Sequence, residues 1–147
     1  MNKPITLLIV DDSQDSRQAI RAAIAYSDQI IVVGEATNGE EALELTGRLQ
    51  PDVILLDVMM PRLNGIQTAV SISKLYPAIK IIMLSAYDSK ELILDAVRSG
   101  AQGYLIKGSP STEIIQAIRA VARGQAILSP LMLGWVLDEL TSSANGK

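Results

Sequence analysis

Apolar residues in this chain fall into short runs, and each run is followed by a stretch of helical period. Ile5 to Val10 is a run of strand length that gives way at Asp11-Asp12-Ser13 to a helix-like pattern. Ala19, Ile20, Ala23 and Ile24 form the stripe of that helix, with Arg17 and Arg21 opposite. The alternation repeats. Ile30 to Val33 is the second run, and Asn38 then caps a helix with Glu41 as its capping-box partner. Val53 to Leu56 is the third run, closed by Asp57 and followed by a helix from Gly65 to Pro77. Ile79 to Leu84 is the fourth. Asp88 and Glu91 have capping-box spacing ahead of Leu92, Ile93, Ala96 and Val97, and Gly100 and Gly103 bracket the turn into the fifth run, Tyr104 to Ile106. Ser109-Pro110 opens a last strong helix to about Arg123.

Runs that are apolar throughout predict strands buried on both faces, because a sheet with one wet face would alternate. Right-handed crossovers between them give a doubly wound α/β domain. The rhythm breaks at Gly124, so residues 1–123 are expected to form the domain and 124–147 a linker or appended helix with a polar end. If Ser129-Pro130 starts a helix there, Leu131, Met132, Trp135, Val136 and Leu140 lie largely along one face. That face needs a partner: the chain's own domain, a second copy in a homodimer, or a further domain to which it begins the linker.

Composition narrows the chemistry. The 147 residues, 48% hydrophobic, suit one domain with a sizeable core. With no histidine and no cysteine, imidazole bases, thiolate nucleophiles, the usual zinc sites and disulfides are excluded. Sixteen acids against thirteen bases give a net charge of −3 without basic clustering, so the chain alone is not expected to bind DNA. Ile5 to Val10 is too short for an export signal, and the uncharged stretch Gly124 to Leu137 falls short of the roughly 20 residues of a membrane span. A cytoplasmic protein with no membrane partner is the expectation.

In an open parallel sheet the functional crevice lies beyond the carboxyl ends of the strands. Those ends here carry Asp11 and Asp12, Asp57, Ser85 and Lys107. Taken singly, each has an ordinary explanation: Asp12 or Ser13 as a helix cap, Asp57 as a turn residue, Lys107 as a solvated charge. Three converging carboxylates repel, however, and persist together when a cation compensates them. With oxygen ligands alone, magnesium is the natural ion. Lys107 offers a point charge for a phosphate oxygen and Ser85 a hydroxyl.

These words, Val10-Asp11-Asp12-Ser13, Leu56-Asp57-Val58-Met59-Met60-Pro61 with Asn64-Gly65, Leu84-Ser85-Ala86 and Gly100 to Lys107, resemble the receiver domains of two-component response regulators over about 120 residues. The resemblance implies a flavodoxin-like five-stranded sheet of order 2-1-3-4-5. It makes Asp57 the phosphoacceptor and Asp12 a direct Mg2+ ligand, with Asp11 acting mainly through water and the Met59 backbone carbonyl as a further ligand. Ser85 would bond the phosphoryl group, Lys107 would pair with it, and Tyr104 would be an aromatic switch that turns inward as Ser85 moves. The donor would be a sensor histidine kinase, and the chain would be a switch rather than an enzyme, limited to self-phosphorylation from small donors and slow self-dephosphorylation.

Gly108 replaces the proline many receivers carry after the lysine, so no cis peptide is expected there. With Gly124 to Pro130, this resembles the NarL/LuxR branch, whose receivers precede a helix-turn-helix domain not found in these residues. The chain is then either part of a transcription regulator that contacts DNA through that domain, or a natural single-domain regulator. The resemblance also makes Met59 and Tyr87 the positions that flank water's path to the phosphoaspartate; neither orients water well, so the signal is expected to be long-lived. Leu94, off the apolar stripe of its helix, is a candidate for the surface that reports phosphorylation. Two other classes compete. A magnesium-dependent aspartyl phosphatase wants a second acid two residues after the nucleophile, where Met59 stands; a flavin or dinucleotide module wants glycine in the acidic first turn, Asp11 to Asp15.

Overall fold

The computed structural model describes residues 3–60 and 64–144, so Pro61 lies outside the described residues. The strands are β1 (Ile5–Val10), β2 (Ile30–Ala36), β3 (Val53–Asp57), β4 (Lys80–Ser85) and β5 (Gly103–Ile106). All pair in parallel, in the order β2-β1-β3-β4-β5. Five helices follow them in turn: α1 (Gln14–Ile24), α2 (Gly39–Leu49), α3 (Gly65–Leu75), α4 (Lys90–Arg98) and α5 (Ser111–Ala122). β2 outruns its apolar stretch because pairing with β1, through a register shift after Leu7, continues to Val10 and Ala36.

Alternate strand residues feed two cores, the physical reason the strands read as apolar throughout. Leu8, Val10, Ile54, Leu56, Ile81 and Met83 face the layer holding Ala42, Ala69, Ile72, Ile93 and Ala96 of α2, α3 and α4. Leu7, Ile9, Val53, Leu55, Ile82 and Leu84 face Ile20, Ile24, Ile114, Ala117, Ile118 and Val121 of α1 and α5. Truncating one of these fully buried side chains to alanine costs about 2–5 kcal/mol.

Helix starts agree with the sequence in position and differ in detail. Asn38 accepts from the Glu41 amide as expected, but the Glu41 carboxylate reaches back to the Thr37 amide at 2.7 Å. Ser89, not Asp88, caps α4: its extended backbone aims Oγ at the Leu92 amide, 3.2 Å away. Asn64 and Gln67 form a full capping box on α3.

After α5 the chain turns back against the sheet. The Ile127 amide donates to the Gln102 carbonyl at 2.9 Å, and its carbonyl accepts from the Tyr104 amide at 3.1 Å, covering the free edge of β5. A sixth helix, α6 (Pro130–Ala144), lies against α4. Met132 is buried, Trp135 and Val136 are half-buried, and Glu139 pairs with Arg98 of α4 at 2.6 Å. The tail's apolar stripe therefore packs partly on its own domain, while Leu131 and Leu140 stay exposed together with Leu133 and Leu137. Leu94 is 9% exposed, so its position off the core stripe does not place it at the surface. Among the described residues no helix is long and apolar enough to cross a membrane.

Candidate functional site

The carboxyl ends of β1, β3 and β5 bring Asp11, Asp12, Asp57 and Lys107 together, and Ser85 ends the neighbouring β4. Asp11, Asp12 and Asp57 each offer a carboxylate oxygen, all within 4.8 Å of one another, with Asp11 and Asp57 buried and Asp12 exposed. Lys107 Nζ stands between the buried pair, 3.0 Å from Asp11 Oδ2 and 3.3 Å from Asp57 Oδ2. The remaining oxygens are held by the backbone: Asp11 Oδ1 accepts from the Ser13 amide at 2.9 Å, and Asp57 Oδ1 from the Met59 amide at 3.1 Å. Ser13 caps α1, so the cap explanation holds for the serine and leaves Asp12 free to serve the acidic cluster.

Asp11 Oδ2 is fully buried and has no hydrogen bond of acceptable geometry; its compensation is the ion pair with Lys107. Such an atom, aimed into a cluster of carboxylates, fits a hard divalent cation with oxygen ligands. Burial and the neighbouring Asp11 charge push the Asp57 carboxyl up to about 6, against the pull of Lys107 and the Met59 amide. Burial works to lower Lys107, but the Asp11 and Asp57 carboxylates outweigh it, and the ammonium is held above its usual range. The lysine is thus held charged, and the aspartate sits above the ordinary carboxylate range.

Gly65 makes the site's floor possible. A Cβ there would lie 2.0 Å from the Asp57 carbonyl oxygen, so only glycine lets α3 begin directly under the end of β3.

Ser85 is buried, and its Oγ accepts from the Tyr87 amide at 3.0 Å. Tyr104 is 3% exposed, with its side chain already turned inward and its hydroxyl donating to the Tyr87 carbonyl at 2.6 Å. Burial raises the Tyr104 phenol above its ordinary range; the Ser85 hydroxyl opposes the shift and the Asp88 charge adds to it. Met59 and Tyr87 flank the crevice as exposed side chains. The Lys107–Gly108 bond is trans, and Gly108 takes φ +87° in the turn that follows.

Residues 7–119 match the response regulator receiver domain. The chain belongs to that family. Among curated relatives, the receiver is 39% identical over 140 residues to the transcriptional regulatory protein YxjL of Bacillus subtilis, covering 95% of this chain and 64% of the relative. It is 35% identical over 127 residues to the nitrate/nitrite response regulator NarL of Escherichia coli, covering 86% and 59% respectively. The chain therefore spans less than two thirds of these relatives' length. The signal receiver domain of NarL from Mycobacterium tuberculosis superposes with a TM-score of 0.80 at 34% identity, over 84% of this chain and all of that one. A LuxR-family response regulator from Aurantimonas gives a TM-score of 0.85 at 28% identity, over 95% and 99%. This is a receiver domain of the NarL/LuxR type.

One residue of the receiver's site was missed in the sequence. Arg17, placed opposite the apolar stripe of α1, is 13% exposed and reaches both the Asp11 carbonyl and Glu35 at 2.8 Å. Helical periodicity could not reveal this, because Glu35 comes from β2, eighteen residues away.

Proposed function

We propose that this receiver is a switch that accepts a phosphoryl group on Asp57. The observation that carries the reading is Lys107 standing between the Asp11 and Asp57 carboxylates at the mouth of the crevice. A carboxylate oxygen of Asp57 attacks the phosphorus of a phosphohistidine on a sensor kinase; the new O–P bond forms as the P–N bond breaks, and the imidazole leaves. Asp11, Asp12, Asp57 and the Met59 carbonyl would hold Mg2+, which neutralises charge on the phosphoryl oxygens when bound. Lys107 then moves its contact from the carboxylate to a phosphoryl oxygen, and the Ser85 hydroxyl donates to another.

No histidine occurs in these 147 residues, so the phosphoryl donor lies outside them. The phosphoryl group favours whichever arrangement of Ser85, Tyr87 and Tyr104 gives it more contacts, and the face formed by β5 and α4 carries that shift outward. Residues 1–123 supply the switch in this reading, and 124–147 connect it to the output. Where the protein continues as its NarL-type relatives do, that output is transcription through a DNA-binding domain, in the cytoplasm.

An aspartyl phosphatase is disfavoured because Met59, two residues beyond Asp57, has no proton to give a leaving group. Incubation with Mg2+ and acetyl phosphate, followed by intact-mass spectrometry, tests the proposal. One phosphoryl adduct, abolished by Asp57→Asn, is the expected result; turnover of phosphate esters without an adduct would overturn it.

A further inference from the structure

Arg17 ties three elements together behind the acidic site. Its Nη1 donates to the Asp11 carbonyl at 2.8 Å and its Nε donates to Glu35 Oε1 at 2.8 Å, so a single guanidinium joins the end of β1, the start of α1 and the edge strand β2. The Asp11 amide is fixed as well, donating to the Ala36 carbonyl at 3.0 Å. Both ends of the Asp11 peptide unit are therefore anchored to β2, one directly and one through Arg17. Glu35 is shared: Arg21 of α1 also donates to it, and the two arginines hold its carboxyl below the usual range despite burial, Arg21 contributing most.

We propose that Arg17, backed by Glu35, is a positioning residue for divalent-cation binding at Asp11, Asp12 and Asp57. Asp11 and Asp12 are consecutive, so their carboxylates keep their relative aim only if the turn after β1 is rigid. Among the described residues, Arg17 is the side chain that bonds the carbonyl linking them. Glu35 has a second duty. A guanidinium this close to a cation site would repel the ion, and the carboxylate of Glu35 neutralises it where it stands. The clamp thus orients the acids without reducing their attraction for metal, as outer partners of metal ligands do.

The inference rests on the reading that these acids hold a cation, and the test separates the two. Mn2+ binding to the unphosphorylated 147-residue protein is followed by electron paramagnetic resonance, well below the melting transition of each variant. Arg17→Met is expected to weaken Mn2+ binding about tenfold or more, the usual effect of losing such a partner. Arg17→Lys, which keeps the charge but not the two-pronged reach, should recover only part of it. Glu35→Gln should weaken binding through uncompensated charge, an effect that shrinks as salt is added. Arg21→Met, which loses contact with Glu35 alone, should stay near wild type. With acetyl phosphate, Arg17→Met should need more Mg2+ for half-maximal phosphorylation while its rate at saturating Mg2+ changes little.

A merely structural arginine would lower the melting temperature and leave Mn2+ affinity within about twofold of wild type for both Arg17→Met and Glu35→Gln, which would overturn the inference but not the site. Wild-type protein that takes up no Mn2+ would overturn both. If Arg17→Met does not fold, Glu35→Gln and Arg17→Lys carry the comparison.

Discussion

The Tyr104 amide donates to the carbonyl of Ile127, so the residue expected to switch is bonded to the segment leading into α6. The connection extends inward without a gap. Tyr104 donates its hydroxyl to the Tyr87 carbonyl, and the Tyr87 amide donates to Ser85 Oγ. A serine drawn toward a phosphoryl group pulls on each of these bonds, and α6 also rests on α4, the helix that follows Tyr87.

Trp135 is the single tryptophan of the chain and sits half-buried on α6, a native reporter of that coupling. Phosphorylation with Mg2+ and acetyl phosphate should change its emission, and Asp57→Asn should abolish the change. Tyr104→Phe should keep the phosphoryl adduct and lose most of the emission change, because the bond to the Tyr87 carbonyl is gone. An unchanged spectrum in fully phosphorylated protein would show that the tail does not follow the switch.

The raised Asp57 carboxyl predicts that this residue lowers the stability of the unphosphorylated, metal-free fold at neutral pH. Its folded pKa of about 6 lies above the ordinary 3.8, so the folded protein binds more protons between those values and stability falls as pH rises through that window. Asp57→Asn should therefore be more stable by about 1–3 kcal/mol at pH 7.5, with an advantage that shrinks as pH drops from 6 toward 4. Urea unfolding across that range measures it. Mg2+ should narrow the difference at pH 7.5 by binding the folded wild type more tightly than the variant.

Met59 and Tyr87 are exposed at the rim of the site, 56% and 59%, and neither carries a group that activates water. Phosphorylated wild type should decay slowly. Met59→Ala and Tyr87→Ala should each shorten the half-life by opening the line of attack, and Met59→Asn should shorten it further by orienting water. The time course of phosphate release reads this, and equal half-lives in all four proteins would contradict it.

Gly65→Ala should cost about 1–3 kcal/mol or more, since its Cβ would have to displace the Asp57 backbone from 2.0 Å. The displaced strand end carries Asp57, the proposed phosphoacceptor, so phosphorylation should slow as stability falls. Gly134→Ala is the matched control: a Cβ there meets nothing within 4 Å, and in mid-helix alanine should stabilise slightly. Thermal melts and acetyl phosphate labelling of the two variants give the comparison.

The strand order came from the family resemblance, while the two-faced core and the convergence of Asp11, Asp57, Ser85 and Lys107 on one edge were legible in the pattern of residues. The reason is physical: apolar runs of three to six residues with polar ends admit few arrangements once parallel pairing and right-handed crossovers are imposed. Local capping was legible less sharply. Ser89 displaced Asp88 and Glu41 reached Thr37, because neighbouring side chains can serve successive amides and the backbone path into the helix decides which is met.

What depended on contacts between distant segments could not be read along the chain. Leu94 is buried although its helical position points away from the core stripe, and α6 packs on the same helix. Arg17 faced away from an apolar stripe and proved to bridge Asp11 and Glu35. Spacing along a helix assigns a residue to a face; only the tertiary structure decides what that face meets, since the partner is supplied by another element across the fold. The sequence by itself determined which groups this receiver has for its chemistry and on which strand ends they stand. The folded chain decided how tightly they are held and what else moves with them.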